Sequence, residues 1–348
     1  MRQLRKDVTS GRWVIIASER SKRPDDFRKP KPEAAAETAE EARKHCPFCM
    51  GNESQTPPEV FALRAPDTGG DQPDWRVRVV ANKFPALVAG APPSIQGDAF
   101  FPYMEGIGVH EVVIENPVHQ LELADLSLPA IRDVLLTYRE RMKMIESEPP
   151  DEYIHLFKNK GNEAGASLSH PHSQIIATPI VPKKIAGELA LAENLHREFG
   201  ECIFCRIIRE ECRRGERIVH KNDKFCVLVP FAPRFPFETR IYPFRHSAFF
   251  TGLEDEELDA FAPVLKNILL RLKAVLSDPP YNFYVYQAPN KGLHHPFWPG
   301  LSESFHWHME IIPVLTKPAG FELGTGFYIN PVTPEAAASF LRSDPVES

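Results

Sequence analysis

Two histidines and a glutamine alternate in His170-Pro171-His172-Ser173-Gln174, just ahead of the apolar Ile175 and Ile176. Alternate side chains of an extended chain share a face. Residues 168–177 therefore read as a strand that lines up His170, His172 and Gln174. The pattern recurs, with His306, His308 and Glu310 alternating ahead of Ile311 and Ile312. Each HxH follows a CxxC pair, Cys46 with Cys49 and Cys202 with Cys205. A lone HxH suits a pair of surface histidines on an edge strand; a doubled one, each behind its own CxxC, does not.

Thiolates and imidazoles in sets of four suit tetrahedral zinc. Cys46, Cys49 and His119 supply three ligands in the first half, and one histidine of the HxH supplies the fourth. The second half offers Cys202, Cys205, His246 and either His306 or His308. A closed set of four leaves no open coordination position, so both metals read as structural, one per half. A redox CxxC needs its own fold context and would not bring paired histidines twice.

The histidine left free in the HxH is then the reactive group. A neutral imidazole is a good nucleophile near pH 7. Upstream, residues 157–167 hold Asn159, Gly161, Gly165 and Ser167, and such loops present N–H and hydroxyl groups to phosphate oxygens. Gln174 can donate from the same face. An imidazole beside a phosphate cradle predicts attack on phosphorus and a phospho-histidine-type intermediate.

The elements that must position these groups also come in two copies, as a search for internal repeats brings out. Each half runs CxxC, strand, strand with a histidine, helix, strand, loop, HxH strand. The helices fall at about 125–145 and 254–276, with Leu128, Ile131 and Leu135, or Phe261, Leu265 and Leu272, at helical spacing. Hairpin-linked strands with one long helix per half predict an α+β protein, each half an antiparallel sheet packed with its helix. The boundary falls between residues 1–182 and 183–348, and residues 182–199 read as a joining helix.

The chain has 348 residues, 43% hydrophobic, enough for two domains of ordinary size. A net charge of −6 argues against a nucleic-acid footprint. The charged start and the lack of a long apolar run predict a cytoplasmic protein. Four of the six cysteines lie in CxxC pairs, which favours metal over disulfides; Cys212 and Cys226 are left over. The Ala- and Glu-rich residues 29–44 carry no chemistry.

With these residues goes a resemblance. Leu4 to Asp7, residues 20–24, Asn82-Lys83-Phe84, Gly165-Ala166-Ser167, the HPHSQ stretch and residues 320–326 are similar to motifs of the galactose-1-phosphate uridylyltransferase family, a branch of the histidine-triad superfamily. The likeness spans nearly the whole chain. Gln174 stands where histidine-triad hydrolases usually carry a third histidine.

The resemblance implies two tandem histidine-triad-like domains. It makes His172 the nucleophile on the α-phosphorus of UDP-glucose. A uridylyl-histidine forms, glucose 1-phosphate leaves, and galactose 1-phosphate takes the uridylyl group in a ping-pong cycle. It assigns Gln174 and Ser167 to the phosphoryl group and His170 to zinc with Cys46, Cys49 and His119. Arg20 and Arg23 match the arginine pair near the nucleotide, Asn82 and Phe84 the nucleoside site, and Asn159, Gly165 and Ala166 the phosphate side. Gly320, Phe321 and Glu322 resemble a segment that reaches a neighbouring subunit's sugar site, which implies a homodimer.

Better-known members hold a second metal with one glutamate and three histidines, and Glu188, His295, His306 and His308 could imitate that set. Cys202, Cys205, His246 and His306 resemble instead a subgroup like ADP-glucose phosphorylase, which takes adenine and uses phosphate as acceptor. Residues 278–282 and 324–331 share that likeness. The second HxH lacks a Gly-Ala-Ser loop, so His308 is expected to pack rather than react.

Overall fold

The computed structural model describes residues 2–18, 27, 43–148, 152–290 and 298–343. Strands β1 (Arg2–Lys6) and β2 (Trp13–Ala17) form a hairpin at the start of the chain. The first half then gives β3 (Glu59–Arg64), β4 (Trp75–Ala81), β5 (Val109–Ile114), helix α1 (Leu128–Glu146), β6 (Tyr153–Lys160) and β7 (His172–Thr178). Helices α2 (Lys183–Phe199) and α3 (Ile203–Arg214) lead into the second half. There β8 (Ile218–Lys221), β9 (Phe225–Leu228), β10 (Thr239–Pro243), helix α4 (Asp255–Leu276), β11 (Tyr281–Tyr286) and β12 (His308–Pro313) follow. Helix α5 (Gly320–Thr325), β13 (Tyr328–Asn330) and helix α6 (Pro334–Ser343) close the chain.

The α+β class holds. Ten strands make one antiparallel sheet in the order β3-β4-β5-β7-β6-β11-β12-β10-β9-β8. Each half contributes five strands with its own long helix, as expected, and β6 pairs with β11, Phe157 opposite Tyr284, so the two halves' sheets run on into one. Strand β13 joins the β1–β2 hairpin in a smaller sheet.

Pattern explains which face of the sheet is dry. Val113 on β5, Ile175 on β7, Val285 on β11 and Ile311 on β12 point toward α1 and α4. Leu135 and Tyr138 of α1 and Phe261 and Leu265 of α4 meet them there, all fully buried. Each such side chain stabilises the fold by about 2 kcal/mol. Ser127 caps α1, its hydroxyl accepting the Ala130 N–H at 3.4 Å, and Pro129 sits in the first turn, where a missing N–H costs nothing. The opposite face carries His172 and Gln174. Helices α2 and α3 cover that face over the second half, through Leu189, Phe204 and Ile208, and reach Tyr153 at the start of β6.

The strands of the two HxH motifs begin later than their alternation suggests, at His172 and His308. Pro171 has no N–H for the ladder, and His170 stands outside the strand in a bend. The histidines of each pair therefore sit in different backbone settings.

Asp7 pins the opening hairpin to the second half. It accepts Arg240 Nη2 at 3.0 Å on one oxygen and the Thr9 N–H and hydroxyl, at 3.0 and 2.7 Å, on the other. Burial pushes this carboxyl up, but the Arg240 guanidinium and the Thr9 donors outweigh it and hold the group at about 2. Asp7 titrates near 3.8 when unfolded. Its contribution, about 2 kcal/mol, is present above that value and lost as pH falls toward 2. Asp7→Asn is expected to lower stability by about that amount at pH 7 and to flatten the acid limb. Urea unfolding of both proteins at pH 7 and pH 3 measures it; equal stability at pH 7 would refute the role.

Candidate active site and metal centres

Cys46 and Cys49 stand on a tight knuckle in which the Cys49 N–H reaches the Cys46 carbonyl at 3.3 Å. Asn52 Nδ2 donates to that carbonyl at 2.8 Å and braces the turn. His170 Nδ1 lies 3.6 Å from Cys46 Sγ and 3.5 Å from Cys49 Sγ, and His119 Nδ1 lies 3.3 Å from Cys49 Sγ. The four ligand atoms fall within 4.8 Å of one another. Zinc bonds to sulfur and nitrogen of ordinary length give a tetrahedron with edges of about 3.5 Å.

The far side of each ring supports the same use. His170 Nε2 donates to the Asn116 carbonyl at 2.8 Å, which leaves Nδ1 with its lone pair toward the thiols. His119 Nε2 pairs with Ser169 Oγ at 3.2 Å. Burial, and then the neighbouring Cys46, push the Cys49 thiol up to about 12, so Cys49 would stay protonated unless a cation drew the proton off. The residues present fit a closed Cys2His2 metal.

A second cluster repeats this on other elements. Cys202 caps α3 and Cys205 lies in its first turn. Cys205 Sγ stands 3.3 Å from His246 Nδ1 and 3.4 Å from His306 Nδ1. The rings donate through Nε2 to the Ser302 and Pro243 carbonyls at 2.8 and 3.0 Å. Cys202, Cys205, His246 and His306 thus come together, whereas Glu188 and His308 do not join them. His295 lies outside the described residues.

His172 is oriented the other way round. Its Nδ1–H donates to the His170 carbonyl at 2.8 Å, so Nε2 keeps its lone pair. Burial pushes this imidazole below its usual range, with the His170 hydrogen bond offsetting part of the shift, and the ring is neutral at pH 7. The ring of Phe48, inside the CxxC, meets His172 edge-on at 5.3 Å. Behind the strand, Lys158 Nζ joins the buried Glu115 at 2.7 Å, and the Ser173 hydroxyl bonds the same carboxylate.

His172 opens into a cavity of about 730 Å³ that Gln174, Ser167, Asn82 and Phe84 also line. That volume suits a nucleotide-sized ligand. Phe84 stands at the mouth with 84% of its surface exposed. Asn159 is the next-to-last residue of β6, and its Oδ1 accepts Asn282 Nδ2 at 2.8 Å. With Ala166 it lines an adjoining pocket behind His170. Gly165 turns the loop between them at φ +94°, a conformation that side chains rarely adopt.

Gly320, Phe321 and Glu322 lie on the exposed helix α5 and do not line the His172 cavity. Arg20 and Arg23 fall outside the described residues. Two contributors escape a reading of motifs. Phe48 is one of the unnamed positions of a CxxC. His110 sits on β5, where its Nε2 meets Gln174 Oε1 at 2.9 Å. An even spacing from Val112 and Ile114, which lie opposite Gln174 and His172, was the available signal for His110.

Comparison with known proteins gives this arrangement its family. Residues 1–182 match the N-terminal domain, and residues 184–342 the C-terminal domain, of galactose-1-phosphate uridyl transferase. The chain belongs to the galactose-1-phosphate uridylyltransferase family. It is 37% identical to ADP-glucose phosphorylase of Arabidopsis thaliana, over 98% of this chain and 92% of the relative. It is 30% identical to galactose-1-phosphate uridylyltransferase of Thermotoga maritima, over the full length of both. The crystal structure of the Arabidopsis thaliana ADP-glucose phosphorylase with bound ADP-glucose superposes with a TM-score of 0.79, at 32% identity, over 99% of this chain and 100% of that one.

Within this family fold, the second HxH is closed. His308 is 2% exposed, between the rings of Tyr242 at 5.1 Å, Tyr286 at 5.0 Å and Phe204 at 5.5 Å. Glu310, at the place of Gln174, is paired with Arg234 at 2.5 Å and Arg240 at 2.8 Å. His308→Ala is expected to keep the rate of the His172 half within about threefold while lowering stability by about 2 kcal/mol through the hole it leaves. Activity per folded molecule and thermal unfolding measure the two; a folded but inactive variant would overturn this.

Proposed function

We propose that the chain is a nucleotidyltransferase that works on nucleotide sugars through a covalent nucleotidyl-His172. The observation that carries this is the freed Nε2 of His172, opening beside Gln174 and Ser167 into a nucleotide-sized cavity. Nε2 attacks the α-phosphorus; the N–P bond forms as the bond to the β-phosphate oxygen breaks. The hexose 1-phosphate departs with that electron pair and, being a weak base, needs little acid help. An acceptor oxygen then attacks the same phosphorus and returns the imidazole.

Gln174 donates to a phosphoryl oxygen, Ser167 contacts the phosphate, and Asn159, Gly165 and Ala166 shape the loop beside it. Asn82 and Phe84 take the nucleoside. Cys46, Cys49, His119 and His170, and likewise Cys202, Cys205, His246 and His306, would each hold a zinc ion, which would close the loops structurally. Gly320, Phe321 and Glu322 reach the sugar end of the cleft from a second copy, so the working form is a homodimer. A reducing, cytoplasmic setting suits the free thiols.

The donor and acceptor have two readings. UDP-glucose with galactose 1-phosphate takes support from the family match and the Thermotoga maritima relative. ADP-glucose with phosphate takes support from the Arabidopsis thaliana relative at 37% identity. Intact-protein mass spectrometry after mixing with each sugar nucleotide, without acceptor, tests both. A uridylyl adduct on His172, discharged by galactose 1-phosphate, establishes the first. An adenylyl adduct discharged by phosphate establishes the second. No adduct from either would remove the covalent mechanism.

A further inference from the structure

His110 takes no part in the chemistry described above, yet it sits at the junction of two parts of the cleft. We infer that His110 is the positioning residue that sets which end of the Gln174 amide faces the phosphoryl group, and that it ties this choice to the loop carrying Asn82 and Phe84. The inference rests on the nucleotidyltransferase reading and adds a residue to it.

The backbone decides the ring's protonation. The Ala86 N–H donates to His110 Nδ1 at 3.0 Å, and a backbone N–H cannot act as an acceptor. Nδ1 must carry its lone pair, so the proton of the neutral ring is on Nε2. That N–H points at Gln174 Oε1, 2.9 Å away. A glutamine amide has two ends of nearly equal shape and opposite polarity. With Oε1 held by His110, the NH2 end is left for the cleft, where it can donate to a phosphoryl oxygen. Turned over, the same side chain would set its carbonyl oxygen against the anion.

The same imidazole borders the nucleoside side. Asn82 Oδ1 accepts the Phe84 N–H at 2.9 Å, which fixes that amide as well. Its Nδ2 lies 3.0 Å from His110 Nε2. An N–H nitrogen offers no lone pair, so this approach is a contact between two donors and not a hydrogen bond. Register explains the convergence: His110 faces Ile176 across the β5–β7 ladder, one diagonal step from Gln174, on the face that also carries His172. Donation from Ala86 ties the chain after Phe84 to the same ring. A shift of this loop would therefore be felt at Gln174.

The test is the single-turnover rate of nucleotidyl-His172 formation with UDP-glucose and with ADP-glucose. It is run on the full chain as wild type, His110→Ala, His110→Gln, Gln174→Ala and the double variant His110→Ala/Gln174→Ala. Removing one oriented donor from a transition state costs about 10²- to 10³-fold, and misorienting it costs part of that. His110→Ala is expected to slow adduct formation about 10- to 100-fold. The half-saturating donor concentration should move less than about threefold, a split that places the loss in the chemical step. His110→Gln keeps an N–H near the Nε2 position and should recover the rate to within about fivefold. In the Gln174→Ala background, His110→Ala should cost no more than about twofold, since a residue acting through Gln174 has nothing left to orient.

An unchanged rate in His110→Ala, or equal losses with and without Gln174, would overturn the inference. Should the Ala variant fail to fold, His110→Asn, whose shorter amide cannot reach Gln174, takes its place under the same criteria. A wild-type chain that forms no adduct with either donor would remove the nucleotidyltransferase reading and this role with it. An adduct in wild type with no response to His110 would remove this role alone.

Discussion

His172→Ala is expected to fold, to keep both metal clusters and to form no nucleotidyl adduct, with turnover reduced roughly 10⁴-fold or more. The size follows from what the side chain does. Its Nε2 faces the cavity with its lone pair free, since its Nδ1–H is already committed to the His170 carbonyl. Water cannot take its place without losing the covalent route. Structural losses should be small. The ring meets Phe48 edge-on, and the metal ligands, the Glu115–Lys158 pair and the β7 ladder do not depend on it. Mass spectrometry, metal analysis and thermal unfolding together decide it. Turnover persisting in a clean variant would mean that another group is the nucleophile.

Losing the first metal cluster should be nearly as damaging, for a different reason. The carbonyl that orients His172 belongs to His170, a member of that cluster, and Phe48 of the CxxC packs on the nucleophile itself. Cys49→Ser is expected to reduce bound metal, lower stability by about 3 kcal/mol or more and cut adduct formation at least about 100-fold. Cys205→Ser, in the second cluster, should show the stability loss while the folded fraction still forms adduct within about threefold. His306, its ligand, orients His308, and that residue lies sealed among aromatic rings. Metal content by elemental analysis, read with adduct yield per folded molecule, separates the two. Equal loss of adduct in both variants would mean that the second cluster supports the nucleophile as well.

Much of this arrangement was legible in the sequence because it is local. A CxxC or an HxH announces its chemistry within a few residues, and α1 and α4 declare themselves by spacing. Helix α4 begins at Asp255 and ends at Leu276, close to the expected span. Less legible was whatever depends on distant pairing. The shared sheet arises from β6 meeting β11, more than 120 residues apart, and no periodicity within either strand reports its neighbour. The late start of β7 follows from one missing N–H at Pro171, which alternation of side chains does not register. His110 acquires its role only when β5 lies against β7 and the loop after Phe84 folds over it. Gly320, Phe321 and Glu322 illustrate the converse, a motif whose residues lie on an exposed helix away from the His172 cavity of their own chain.

The seam between β6 and β11 has a wider meaning. Strand order on either side of it runs outward in the same sense, so one half maps onto the other by a half-turn about an axis through the seam. Such a contact is isologous: two identical half-length chains could make it with each other. In a pair of identical chains, any change to one catalytic face would appear in both. Joined in one polypeptide, the faces are free to part. Here one is roofed by two helices and its histidine boxed in by rings, while the other stays open to the substrate. The roofed half then serves its twin as a fixed edge, holding in register β6, the strand next to the one that carries His172.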